Sequence, residues 1–121
     1  MKKLGYQGLK IWQKAMDLVV LIYDFTKKLP KEELYGLSGQ MRRAVTSIPS
    51  NIAEGYEKES NKELSHFLTI SRGSKAELET QLLICVKVGY LIETEIGDAI
   101  ELSTEIGKML TSWINKLTPD S

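Results

Sequence analysis

The side chains best suited to covalent or metal chemistry are rare in this 121-residue chain, which has one cysteine, Cys85, and one histidine, His66. The two lie 19 positions apart on one predicted helix, which separates them by about 28 Å. They therefore cannot pair as nucleophile and base. A lone cysteine also excludes a disulfide within the chain and a zinc site built from several thiolates.

The sequence also lacks the motifs of metal-dependent and nucleotide-dependent enzymes. Glu63 and His66 have the Glu-x-x-His spacing of di-metal bundles, but such a site needs a second pair, and none occurs. Glycine loops that cradle phosphates are absent as well. We therefore predict no enzyme, no catalytic residues, no metal, no cofactor and no small-molecule substrate.

Four basic residues are candidates for binding an anionic polymer: Arg42, Arg43, Arg72 and Lys75. Arginine makes bidentate contacts to phosphate, and residues three apart, such as Arg72 and Lys75, share one helix face. The alternative is that these cations form salt bridges within the fold or across a subunit boundary. The candidate partners are then Glu54, Glu77 and Glu79.

Charge is segregated along the chain although the formal net charge is zero, with 16 basic and 16 acidic residues. Residues 1–50 carry +5 and the remainder −5, and residues 93–105 contain five carboxylates and no basic residue. Such segregation favours an anionic partner at one end or head-to-tail self-association. The alternative is two solvated helix faces that differ in charge by chance.

The segment SIPSNIAEG, residues 47–55, mixes polar and apolar side chains in the middle of a predicted helix. If Asn51 and Glu54 are buried, each needs a hydrogen-bond partner. Farther along the chain, the small residues Gly73 and Ser74 interrupt an apolar stripe, which indicates a place where another helix crosses closely. We therefore predict a structural polar network that sets helix register or subunit contact. Its members are Asn51, Glu54, Gly55, Gly73 and Ser74.

Helices must position these residues, because apolar residues recur at three–four spacing and strand-like alternation is absent. Four helices are predicted, at about residues 9–28, from 35 or 38 to 56, from 60 or 61 to 90, and from 93 or 94 to a stop at Pro119. Ser60 and Glu63 form a capping-box pattern before the third. Pro49 is expected to kink the second helix or, alternatively, to break it at residues 48–49.

Short links between most of these helices make neighbouring helices antiparallel. The predicted fold class is all-α, an antiparallel up-down-up-down four-helix bundle that forms one domain over residues 1–121, with the second helix kinked at Pro49. The first helix carries one apolar stripe at three–four spacing, which includes Met16 and Tyr23, and a second at steps of seven, formed by Ile11, Leu18 and Phe25. Because one dry face needs only one stripe, we predict that this second stripe is an oligomer interface.

Two sequence blocks, QMRRAVTSIPSNIAEG at residues 40–55 and FLTISRGSKAELETQL at residues 67–82, resemble the bacterial family named for proteins encoded in intervening sequences of 23S ribosomal RNA genes. The resemblance covers residues 9–60 and 63–91. It implies a small antiparallel four-helix bundle that assembles as a pentameric ring. The accessory variability determinant proteins of diversity-generating retroelements are similar basic bundles that bind nucleic acid and associate with a reverse transcriptase. This likeness implies nucleic-acid or subunit contacts at Arg42, Arg43, Arg72 and Lys75.

These observations predict a non-enzymatic homo-oligomer, with a pentamer favoured, that acts as an RNA-binding or RNA-associated scaffold. Its partner would be RNA or an RNA-handling protein. The alternative is a protein–protein interaction adaptor that presents the acidic surface of the fourth helix and binds no nucleic acid. No apolar run approaches the roughly 20 residues of a membrane span, and no signal-peptide core follows the N-terminus, so a cytoplasmic location without membrane contact is expected.

Overall fold

Four α-helices follow one another in the computed structural model, which describes residues 5–117. They are α1 (Lys10–Lys28), α2 (Leu37–Tyr56), α3 (Asn61–Lys87) and α4 (Glu93–Leu117). Short 3-10 turns at Gly5–Gly8 and Lys31–Glu33 precede α1 and α2. The predicted order of four helices is confirmed, and the predicted stop at Pro119 lies outside the described residues.

Local capping explains both ends of α3. The Ser60 hydroxyl accepts a hydrogen bond from the Glu63 backbone N–H at 3.1 Å, as the capping-box pattern predicts. At the other end, Gly89 has a φ of +88°, and the Tyr90 N–H donates back to the Cys85 carbonyl at 2.9 Å. This is a Schellman motif, which needs a glycine in the left-handed region. It ends α3 at Lys87, three residues before the predicted end.

The helices form an antiparallel bundle in which each packs against its neighbours in sequence, and α4 returns to pack against α1. Among residues 5–117, the backbones of the diagonal pairs α1–α3 and α2–α4 do not approach each other closely. The most extensive packing joins α2 to α3. The predicted all-α fold is therefore confirmed. Among the helices of residues 5–117, none combines the length and the hydrophobicity of a membrane span.

The apolar face of α1 differs from the predicted one. Ile11, Leu18 and Phe25, predicted to form an oligomer interface, are buried in the core of their own bundle. Ala15 and Ile22 lie between them and are also fully buried. Steps of seven residues are the sum of steps of three and four, so all five residues belong to one heptad face. The assignment of the heptad stripe to an oligomer interface is therefore corrected.

A different set of apolar residues on α1 remains at the surface. Met16, Val20 and Tyr23 are exposed, Val20 to 61% of its accessible area. They recur at steps of four and three and hence form one face of the helix. The first helix therefore does carry apolar residues on two sides, as predicted, but the outer side is this one.

Pro49 lies inside α2, which is continuous from Leu37 to Tyr56. The predicted alternative of two shorter helices is therefore wrong, whereas the kink stays a prediction. Pro49 is buried, and the neighbouring Ile48 carbonyl accepts a hydrogen bond from the buried Ser71 hydroxyl of α3 at 2.9 Å. A polar contact of this kind lets α3 pack closely against the proline turn without leaving the serine unsatisfied.

Glu33 and Tyr90 join the two loops at one end of the bundle. One carboxylate oxygen of Glu33 accepts the Leu37 N–H at 3.1 Å, which caps α2. The other accepts the Tyr90 hydroxyl at 2.8 Å. The Leu37 backbone bond, followed by the Tyr90 bond, lowers the pKa of Glu33, because both stabilise the ionised form. The pair therefore holds the α1–α2 loop against the end of α3.

Candidate functional site

The four basic residues predicted to bind nucleic acid lie on three different sides of the bundle. Arg42 turns towards α1, where its Nε donates to the Thr26 hydroxyl at 2.9 Å and its guanidinium lies 4.7 Å from the Tyr23 ring centre. Arg43 is exposed beside the seam between α2 and α3. Adjacent helical residues diverge by about 100°, so these two arginines cannot act on one ligand surface. The four candidates therefore do not share one surface, and only Arg72 and Lys75 lie together.

Arg72 and Lys75 lie together on the side of α3 that faces α4. Arg72 donates from Nη1 to the Thr111 hydroxyl at 3.2 Å. Lys75 forms an ion pair with Glu79 at 3.0 Å, and its side chain is only 18% exposed. Lys75 therefore forms the internal salt bridge that was the predicted alternative. This corrects its assignment as a cation free to bind phosphate.

A glycine of α4 makes room for the Lys75 side chain. A methyl group on Gly107 would lie 2.8 Å from Lys75 Cε, so the lysine crosses α4 where a larger residue would collide with it. Glu79 also accepts the buried Ser103 hydroxyl at 2.6 Å. Lys75, Glu79 and Ser103 thus form a charged seam between α3 and α4. Sequence analysis named Glu79 as a possible partner of Lys75 but missed Ser103 and Gly107, because no spacing rule indicates which residues of two different helices meet.

A groove of about 960 Å³ runs along this seam on the outer side of α3 and α4. Four cationic side chains line it: Arg72, Lys75, Lys108 and Lys116. Four hydroxyl or amide side chains line it too: Thr104, Thr111, Ser112 and Asn115. Within residues 5–117, no carboxylate contributes to the lining. Since Lys75 is neutralised by Glu79, three cations remain to attract an anion.

Lys108 and Lys116 are the residues that sequence analysis missed. The first half of α4 is acidic, so the helix taken as a whole has an acidic composition that conceals the two lysines in its second half. The available signal was their spacing, because Lys108, Ser112 and Lys116 are four residues apart and therefore lie in one row. The helix is itself divided, with its carboxylates before residue 106 and its lysines after residue 107.

Part of the predicted polar network is present between α2 and α3. Asn51 donates to the backbone carbonyl and the hydroxyl of Ser47, both at 2.8 Å. The Ser47 hydroxyl is 2.8 Å from that of Ser74. Asn51 and Ser74 are thus joined through Ser47, which satisfies polar groups at a helix crossing.

The remaining predicted members of this network lie elsewhere. Gly55 is buried where α2 crosses α3, beside Phe67. Gly73 is exposed, and a methyl group placed on it would have no described neighbour within 4 Å. Glu54 is also exposed. Gly73 and Glu54 are therefore corrected to surface positions, because the side of a helix that meets a neighbour depends on where that neighbour lies.

The side chains first considered for chemistry are far from this groove. Cys85 is fully buried, with its sulfur 3.7 Å from that of Met41, and burial followed by the charge of Glu33 raises the pKa of its thiol to about 11. The cysteine therefore stays protonated near neutral pH. His66 is exposed, with its ring edge-on to Phe67. In the part of the chain that the structure describes, no three His, Cys, Asp or Glu residues converge as metal ligands.

Comparisons with known proteins agree with the resemblance in the sequence. The family model described as 23S rRNA-intervening sequence protein matches residues 7–112. The chain is also similar to the crystal structure of a protein with unknown function from the S23 ribosomal protein family of Bacteroides thetaiotaomicron. The identity is 28%, the TM-score is 0.80, and the match covers 86% of this chain and 97% of that chain. No curated protein sequence matches. The predicted resemblance is thus confirmed, and the chain belongs to the 23S rRNA-intervening sequence protein family.

Proposed function

We propose that this protein is a non-enzymatic, homo-oligomeric scaffold that binds RNA through the groove between α3 and α4. The observation that supports the proposal is the composition of that groove, with its cations and hydroxyl groups and without a carboxylate among the described residues that line it. Phosphate oxygens take hydrogen bonds from such cations, hydroxyls and amides, and these contacts position a backbone independently of its sequence.

The geometry of α4 suits a linear polyanion better than a compact ligand. Lys108 and Lys116 are eight residues apart, which places them about 12 Å from each other along the helix. Arg72 lies opposite, oriented by its bond to Thr111. Glu101 and Glu105 border the groove at the Thr104 end. Glu105 is paired with Lys14 at 3.2 Å, so Glu101 is the carboxylate that would repel a backbone there. The groove is therefore a short cationic track with an acidic boundary.

Binding to RNA is expected to weaken steeply with salt. Three cations of the groove, Arg72, Lys108 and Lys116, are available to contact phosphates of a single-stranded RNA. Three such contacts predict a slope of about −2 in a plot of log affinity against log salt concentration. Affinity per protomer should therefore fall about 20-fold between about 50 and 200 mM salt. Fluorescence anisotropy with a labelled oligouridine of about 20 nucleotides measures this slope. Absence of binding at the lower salt concentration, or binding indifferent to salt, would contradict the proposal.

The oligomeric part of the proposal is supported by the exposed apolar face of α1, formed by Met16, Val20 and Tyr23. We expect wild-type protein at micromolar concentration to have the mass of several chains, with five favoured, in light scattering. Charged groups buried in an interface cost several kcal/mol, so the double variant Met16→Glu and Val20→Glu should have the mass of one chain. The matched control is Leu83→Glu with Val88→Glu, which charges two exposed residues near the end of α3. A monomeric wild-type protein would contradict this expectation.

The alternative function, a protein–protein interaction adaptor, is favoured by exposed apolar residues at one end of the bundle. Tyr35 is 92% exposed in the α1–α2 loop, and Ile92 is 62% exposed between α3 and α4. Antiparallel connection places these two loops at the same end. The salt titration separates the alternatives, because an adaptor of this kind binds RNA at no salt concentration.

A further inference from the structure

A second groove, of about 610 Å³, lies between the start of α1 and the end of α4. Its apolar lining consists of Leu9, Ile11, Met109 and Trp113. Trp113 is half-buried and packs against the core, so its indole is held in place while part of it remains accessible from the groove. An accessible, rigid indole beside cations is a feature that the RNA-binding proposal does not use.

The two grooves share one wall. Lys108, Ser112 and Lys116 line both of them, and their spacing of four residues makes them a single row along α4. This row separates the cationic groove on the α3 side from the apolar groove on the α1 side. A chain of phosphates that follows the lysine row along α4 therefore has the Trp113 groove immediately beside it.

We propose that the Trp113 groove accepts an unpaired base of the RNA whose backbone follows the lysine row, so that the site selects single-stranded RNA over duplex. The inference rests on the proposed function. Every base has an aromatic face, so stacking on an indole adds affinity without a preference for sequence. Bases inside a duplex are stacked on one another and cannot reach the groove, whereas unpaired bases can be splayed onto a protein.

Charge supports a nucleotide as the occupant of this groove. Lys10, Lys108 and Lys116 line it, and no carboxylate does so within residues 5–117. A basic or neutral peptide segment would gain no electrostatic attraction from the three lysines. Each base of an RNA, in contrast, is linked through its ribose to a phosphate that the lysines attract. The apolar floor and the cationic wall together match the two parts of one nucleotide.

Tryptophan fluorescence can report on the site directly. The chain contains two tryptophans, so Trp12→Phe leaves Trp113 as the only indole. Oligouridine of about 20 nucleotides is expected to change the emission of this variant, and an RNA duplex of the same length is expected to bind more weakly and leave the emission unchanged. Equal emission changes with both RNAs would overturn the inference.

The matching affinity measurement uses Trp113→Leu, which should weaken oligouridine binding about tenfold while duplex affinity and the salt slope stay the same. Trp113→Phe keeps an aromatic face and should recover most of the affinity. If Trp113→Leu fails to fold, Trp113→Phe and the emission experiment decide the question. Equal binding of both RNAs by wild type and Trp113→Leu would overturn the base site alone, whereas failure of wild type to bind either RNA would overturn the proposed function as well.

Discussion

The double variant Lys108→Glu and Lys116→Glu is expected to bind single-stranded RNA at least 100-fold more weakly than the wild type at about 50 mM salt. At this salt concentration each phosphate contact contributes roughly tenfold to affinity through counterion release. The variant removes two contacts and adds two repulsive charges to the row that separates the grooves. The slope of log affinity against log salt should also become shallower by about 1.4. Anisotropy titrations with oligouridine at several salt concentrations measure both quantities.

A matched control distinguishes the groove from the overall charge of the protein. Arg43→Glu with Lys87→Glu changes the net charge by the same amount, and both residues are exposed outside the α3–α4 groove. This control should lose less than about threefold in affinity, since distant surface charges are screened. All four side chains are exposed, so both variants should melt close to the wild-type temperature. Equal losses of affinity in the two variants would contradict a localised site.

Gly55→Ala is expected to lower the free energy of unfolding by about 2 kcal/mol. A methyl group at this position would lie 2.9 Å from Phe67 Cβ, 3.1 Å from Leu64 Cδ1 and 3.4 Å from the Leu64 backbone oxygen. None of these atoms is the end of a long flexible side chain, and the most extensive helix contact of the bundle joins these two helices. Accommodation therefore requires α2 and α3 to separate slightly, which costs more than the gain in helix propensity.

Gly73→Ala is the matched control and is expected to act in the opposite direction. Gly73 is also in the interior of a helix, but it is exposed, and an added methyl group would meet no described atom within 4 Å. Alanine should therefore raise the free energy of unfolding by about 1 kcal/mol through helix propensity alone. Urea denaturation of both variants measures the difference of about 3 kcal/mol between them. Stabilisation by Gly55→Ala would show that the α2–α3 contact is looser than the geometry indicates.

The helices and most of their ends were predictable, because the interactions that form and cap a helix are local in sequence. Ser60 caps α3 through its own side chain, and three–four spacing of apolar residues produces a helix wherever it continues. The end of α3 differs from the prediction by three residues, because Gly89 adopts a left-handed conformation that closes the helix before the apolar pattern ends. Antiparallel order followed from short links, and the family resemblance rested on two contiguous blocks of sequence.

The positions of functional side chains around the bundle depend on which helix lies beside each face. The heptad residues Ile11, Leu18 and Phe25 were expected outside and are inside, since the hydrophobic pattern does not reveal which of two apolar faces meets the partner helices. For Lys75 the sequence allowed either phosphate binding or a salt bridge, and the structure shows it paired with Glu79 beside Gly107.

The sequence by itself determined the number and order of the helices and the capped start of α3, because capping and periodicity act within a few residues. Only the tertiary structure decided that Arg72, Lys108 and Lys116 line the same groove and that Arg42 and Arg43 lie outside it. It also decided that Trp113 lines a groove on the other side of the same lysine row. These arrangements join residues of different helices, and the rotation of each helix about its axis is set by packing of the whole core rather than by any local sequence.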